Sequence, residues 1–253
     1  MKNGRILVVD DDESVLDYIA MALQVEGFEV TVSTTATQAL GKLRSAADPY
    51  PVVLTDISMP GINGIEFLRI IKKEYPETVV VMLTANASME SAVKSLNEGA
   101  FAYLTKPLIV EELRTTIKNA CEKYSLSRQN KELVSELQKA KEYLETIVQS
   151  LVYIVVATDS EGYIRKTNKA MEKLLGYTEA ELKGAPLAAI LAPEFRQASL
   201  ADLSGGRVRD FPVTFLAKDG HTLRLSFTGT IMKDAGGKVI GFLGTAGSTN
   251  DGK

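Results

Sequence analysis

Five short apolar runs punctuate the first half of the chain: Ile6–Val9, Val30–Val32, Val52–Leu54, Val79–Leu83 and Ala102–Leu104. Each is bounded by turn or acidic residues and reads as a strand. Between them apolar positions return at helical spacing. Val15, Leu16, Ile19 and Leu23 precede Gly27, a residue placed to end their helix. Ile65, Leu68 and Ile71 follow Asn63-Gly64, and Ala92, Val93 and Leu96 precede Gly99. Strand and helix alternating in this way predict an α/β fold, a doubly wound five-stranded parallel sheet with helices on both faces.

From Val110 to about Leu151 the pattern changes, with no glycine or proline and with Glu, Lys, Gln and Leu dominant. One long helix is predicted. Setting Leu137, Leu144 and Leu151 at heptad position a places Leu126, Leu133, Ala140 and Ile147 at d, and Asn130 at a. Glu136 at g then faces Lys141 at e of a parallel partner, and a single polar a residue commonly fixes register and dimeric state. The alternative is an amphipathic helix packed on its own domain. Beyond it, Leu151–Ala157 and Tyr163–Thr167 read as strands around a turn at Asp159–Gly162, with helical pieces through Leu175 and at Glu179–Leu182. Longer strands near Asp210–Ala217 and His221–Met232 flank Asp219-Gly220, the strongest short hairpin signal, and Gly236-Gly237 turns into Val239–Thr245. The tail from Gly247 is small and polar, expected to be disordered. The domains are read as 1–124, a helical coiled-coil linker at 125–150, and an α+β domain with an antiparallel sheet at 151–253.

Composition removes several chemistries. With 45% hydrophobic and 24% charged residues and a net charge of −3, the 253-residue chain has no basic footprint for nucleic acid. Cys121 and His221 are the only cysteine and histidine, so no internal disulfide or cysteine-rich zinc site can form, and histidine-based metal binding or Ser-His-Asp chemistry would have to pass through His221. The longest apolar run, Leu151–Ala157, is too short for a bilayer, and no signal peptide is read at the start. The expected location is cytoplasmic, with no membrane partner.

The chemistry sits at strand ends. Asp10 and Asp11 close the first strand, Asp56 the third, Thr84 the fourth and Lys106 the fifth. In a parallel sheet these ends share one edge, where open α/β folds build their sites. Three carboxylates there repel one another unless a cation intervenes, and a hard divalent ion such as Mg²⁺ suits oxygen ligands. A carboxylate so held can attack phosphorus, with a lysine and a hydroxyl facing the transferred group. Taken singly, the same residues are an N-cap, a surface lysine and a turn former.

Residues 4–124 resemble a response-regulator receiver domain. The likeness lies in Ile6-Leu7-Val8-Val9-Asp10-Asp11-Asp12, Leu54-Thr55-Asp56-Ile57-Ser58-Met59-Pro60-Gly61, Leu83-Thr84-Ala85 and Tyr103-Leu104-Thr105-Lys106-Pro107. The resemblance implies a flavodoxin-like receiver in which Asp56 accepts a phosphoryl group from a histidine kinase or phosphotransfer protein. It implies Mg²⁺ on Asp11, Asp56 and the Ser58 carbonyl, with Asp10 acting through water. Lys106 and the Ala85 amide would contact the phosphoryl group, Thr84 and Tyr103 would be the switch pair, and Lys106-Pro107 would be cis. Ser58 and Asn86 occupy positions that tune phosphoryl lifetime in the family. A phosphatase or dehalogenase usually has a second aspartate where Ser58 stands.

Residues from about 145 to 247 resemble a PAS domain, through Tyr153–Asp159, Gly162-Tyr163-Ile164, Thr167-Asn168-Lys169-Ala170, Leu174-Leu175-Gly176-Tyr177, Glu181-Leu182-Lys183-Gly184, Lys218-Asp219-Gly220 and Gly241-Phe242-Leu243-Gly244-Thr245. Asn168 fits a polar turn at a helix start. No cysteine follows Cys121, which excludes the cysteinyl-flavin type, and His221 on a hairpin is poorly placed as a haem ligand. The PAS ligand is left open. Where relatives carry an Asp-Ile-Thr output stretch, this chain reads Ala246-Gly247-Ser248-Thr249-Asn250. The function expected is a two-component response regulator that is not a turnover enzyme. The alternative is the N-terminal part of a longer hybrid histidine kinase or cyclic-nucleotide enzyme.

Overall fold

A computed structural model describes residues 4–85, 98–195 and 207–248. The helix expected around Ala92–Leu96, Asn86 and the last residues of the tail, from Thr249 on, lie outside them. The chain divides into two compact units, 1–136 and 137–253.

The first unit runs β1 (Arg5–Val9), α1 (Glu13–Val25), β2 (Glu29–Ser33), α2 (Ala36–Ser45), β3 (Val52–Asp56), α3 (Gly64–Glu74), β4 (Val79–Thr84) and β5 (Ala102–Thr105), then the first turns of α4 (Val110–Ser150). All five strands are parallel, in the order β2-β1-β3-β4-β5. Alternate residues of β1 feed opposite cores. Ile6 and Val8 pack with Leu16, Ile19 and Leu23 of α1 and Leu113, Ile117 and Ala120 of α4. Leu7 and Val9 pack with Leu40 and Leu43 of α2 and Phe67, Leu68 and Ile71 of α3. A pleat that turns successive side chains to opposite faces makes this two-sided burial possible. α2 belongs to no run singled out above; its signal is Thr35, whose hydroxyl accepts from the Gln38 amide at 3.2 Å. Gly27 has φ +85° and donates to the Gln24 carbonyl at 2.9 Å, ending α1 as expected.

α4 is a single 41-residue helix. Its buried stripe is Leu113, Ile117, Ala120 and Tyr124, all within the first unit. From Leu126 onward the heptad residues are exposed, Leu137 at 71% and Leu144 at 61%. In the register above the buried stripe occupies positions e and b, and the seam a and d. At about 100° per residue the two lie roughly 100° apart around the helix, so covering one leaves the other open.

The second unit is a five-stranded antiparallel sheet in the order β7-β6-β10-β9-β8, from β6 (Ile154–Asp159), β7 (Ile164–Thr167), β8 (Arg207–Leu216), β9 (Thr222–Lys233) and β10 (Val239–Gly247). The first strand starts at Ile154, three residues later than the apolar run Leu151–Ala157 predicts, because the chain turns after α4 before it enters the sheet. Two helices, α5 (Lys169–Leu175) and α6 (Glu179–Leu182), cover one face through Met171, Leu175 and Leu182 against Ile154, Val156, Phe215 and Leu225. Both hairpin signals hold: Gly220 has φ +91° and Gly237 φ +81°. The two cores share no residues, so Phe67→Ala and Phe215→Ala should act on different melting transitions. Calorimetry of the full chain should show each variant losing about 3–5 kcal/mol in its own unit and almost nothing in the other.

Candidate functional site

The strand ends meet as the register requires. Val9 pairs with Thr55, Asp56 with Leu83, and Thr84 with Thr105, so Asp10, Asp56, Thr84 and Lys106 come to one edge of the sheet. This is the edge at which β1 and β3 diverge to opposite sides, the switch point of a doubly wound sheet. Asp10, Asp56 and Thr84 are buried. The Lys106 ammonium lies between the two carboxylates, 2.7 Å from Asp10 Oδ2 and 3.0 Å from Asp56 Oδ1. Asp56 Oδ2 accepts from the Ser58 amide at 2.8 Å, and Asp10 Oδ1 from the Asp12 amide at 3.0 Å. Asp12 in turn caps α1 through the Ser14 amide at 2.9 Å. The Lys106 amide donates to the Thr84 carbonyl at 2.8 Å, and the Lys106-Pro107 peptide is cis.

Burial pushes the Asp10 carboxyl above its ordinary value, and the Lys106 ammonium and Asp12 amide pull it back only partly. Burial alone would lower the Lys106 ammonium; its contacts with Asp10 and Asp56 outweigh that and raise it. Among the described residues no three acidic or sulfur or imidazole side chains are grouped to hold a metal as they stand. The expected gathering of three carboxylates is realised for two, since Asp11 is exposed and Lys106 supplies the positive charge between Asp10 and Asp56. Asp10 Oδ2 is charge-paired yet receives no aligned hydrogen bond. A buried, under-satisfied carboxylate oxygen beside a second carboxylate fits a hard cation.

Ser58 and Ala85 are exposed beside these ends, and Tyr103 is 40% exposed on β5. One contributor has no chemical signature in the sequence. Gly64 opens α3 with its α-carbon against the Asp56 carbonyl and Ile57, where any β-carbon would collide. Its amide donates to the Ile57 carbonyl at 2.9 Å, which draws the loop after Asp56 onto the helix. His221 sits on the Asp219-Gly220 hairpin, exposed and paired with Asp219. Asn168 stands at a helix start as expected but makes no cap there.

Residues 6–118 match the response regulator receiver domain, and residues 151–246 the PAS domain. The chain belongs to the response-regulator receiver family in its first half, and carries a PAS domain in its second. Among its relatives are the transcriptional regulatory protein YkoG of Bacillus subtilis, 38% identical over 47% of this chain and 52% of that protein. The DNA-binding transcriptional regulator NtrC of Proteus hauseri is 32% identical over 65% of this chain and 34% of its own length. The solved structure of an adenylate cyclase from Rhodopirellula baltica is 34% identical, with a TM-score of 0.50, over 53% of this chain and 98% of that one. The chain thus spans about half the length of YkoG and a third of that of NtrC. At the level of the family, that receiver is the receiver of response regulators. Among the described residues no helix is long and apolar enough to cross a membrane.

A carboxyl whose folded pKa stands above its unfolded one favours the fold most below the unfolded value, here 3.8, and loses that advantage as pH rises through the folded value. Asp10→Asn should therefore be more stable than the native chain at pH 7 in metal-free buffer, by about 1 kcal/mol. Urea titrations from pH 4 to 8 should show the gap opening as pH rises, and added Mg²⁺ should narrow it.

Proposed function

We propose that Asp56 is the phosphoacceptor of a switch read out through α4 and the PAS domain. The observation that carries this is the buried Asp10–Lys106–Asp56 array. One Asp56 oxygen forms the new O–P bond as the P–N bond of a partner's phosphohistidine breaks, the electron pair leaving on the imidazole nitrogen. The Ser58 amide holds Asp56 Oδ2, which orients the carboxylate for attack. Lys106 is already 3.0 Å from Asp56 and can follow the negative charge onto the phosphoryl oxygens, with Thr84 and the Ala85 amide at the neighbouring strand end. Tyr103, half out of the β5 surface, is the ring that would turn inward when Thr84 moves. Receiver domains are Mg²⁺-dependent as a class; held by Asp11, Asp56 and the Ser58 carbonyl, with Asp10 through water, the ion would neutralise charge on the transferred group. A partner histidine kinase or phosphotransfer protein is the donor.

The exposed seam of α4 supports a parallel homodimer, with Asn130 opposite Asn130 and Glu136 beside Lys141 of the second copy. The seam lies on a different face of α4 from Leu113, Ile117, Ala120 and Tyr124. The PAS ligand is not assigned.

Incubation with a small phosphodonor and Mg²⁺ should label the native chain and leave Asp56→Asn unlabelled; persistent labelling at another residue would overturn the assignment. Independently, Leu137→Glu combined with Leu144→Glu should convert a sedimenting dimer to monomer at the same concentration, while leaving Asp56 labelling intact.

A further inference from the structure

Helix α4 ends at Ser150 with carbonyls that no further turn can satisfy. Ile147 finds the Ser150 hydroxyl at 2.8 Å. The Val148 carbonyl, and those of Leu151 and Tyr153 just beyond the helix, are met from across the PAS domain by Asn168, which is 3% exposed. Its Nδ2 faces the carbonyls of Tyr153 at 2.8 Å, Val148 at 3.2 Å and Leu151 at 3.4 Å. An amide nitrogen carries two hydrogens, so Tyr153 takes one and the helix end shares the other. Its Oδ1 accepts from the Val155 amide at 2.9 Å, at the start of β6. The exchange is reciprocal. Gln149, in the last turn of α4, accepts from the Lys169 amide at 2.8 Å, an orphan donor of α5, and donates to the Thr167 carbonyl at 3.3 Å. Thus each helix caps the other. Glu145 pairs with Lys166 at 2.7 Å one turn earlier. On the far side the Tyr153 ring lies on Gly247 so closely that a β-carbon there would collide with it, which joins the helix exit to the end of β10.

We propose that this mutual capping is a built-in coupling joint. Asn168 and Gln149, acting as positioning residues, make the last turn of α4, the start of β6 and α5 one rigid piece. Rotation of α4 then reaches α5, which lies over the PAS core, and the end of β10; displacement of α5 reaches the helix by the same bonds. Linked hydrogen bonds reinforce one another, and losing Asn168, itself buried, leaves its partners unsatisfied. The joint requires neither phosphorylation nor dimerisation, so the failure of either leaves it standing.

The test uses the full chain with Cys121→Ser and nitroxide labels at exposed residues 141 and 173, the labelled chain being diluted in unlabelled chain. The native joint should give a narrow distance distribution. Asn168→Asp, equal in size but turning an acceptor toward three carbonyls, should broaden it and speed amide exchange at Val155 and Lys169 by about tenfold. Should that variant fail to fold, Gln149→Ala removes only the helix side and should give a smaller broadening, with Lys169 affected more than Val155. An unchanged distribution in a folded variant would overturn the joint. So would exchange accelerated equally throughout the PAS core, which would make Asn168 an ordinary core residue.

Discussion

Two carboxylates buried at the ends of neighbouring strands can both stay ionised only with positive charge between them, and Lys106 places its ammonium within 3.0 Å of each. Much of the receiver follows from that constraint. The amine must come from β5, the carboxylates from β1 and β3, so the parallel order β2-β1-β3-β4-β5 is a condition of the site as well as of the core. The array is stable yet poised. Asp10 keeps an oxygen without an aligned donor and is pushed toward its protonated form by burial, so any further cation or anion entering the site shifts the balance of the whole group. A switch needs such a centre: satisfied enough to fold around, incomplete enough to respond.

Response to charge at this edge can matter elsewhere only through elements with discrete arrangements. α4 is suited to that role because its length is divided between tasks. Its first turns belong to the receiver core through Leu113, Ile117, Ala120 and Tyr124, its middle presents an apolar seam, and its last turn is bound by Asn168 and, through Gln149, to the Lys169 amide. Had the seam and the receiver-facing stripe shared one face, the helix could serve one partner at a time. Their separation by about 100° removes that conflict.

Much of this was legible in the linear chain, and for a definite reason. Strands buried on both faces must be apolar, their ends must be punctuated, and the acidic, hydroxyl and amine residues stand immediately at those ends, so Asp10, Asp56, Thr84 and Lys106 announce themselves. α2 was less visible because Ala36, Ala39, Leu40 and Leu43 contribute little hydrophobic contrast. The start of β6 was misplaced by three residues because Leu151, Val152 and Tyr153 are as apolar as a strand but are used to leave a helix.

The two domains, the hydrophobic periods of sheet and helix, and the set of chemical groups at one sheet edge are written in the residues alone, since all of these are local or periodic properties. Which charge neutralises which, why residue 64 is glycine, and that Asn168 serves the incoming helix rather than its own emerge only when the chain is folded. Those depend on distances between segments far apart in the chain: Lys106 to Asp10, Gly64 to the Asp56 carbonyl, Asn168 to Val148. Residue type marks what a group can do, while its partner is chosen by the packing of the backbone around it.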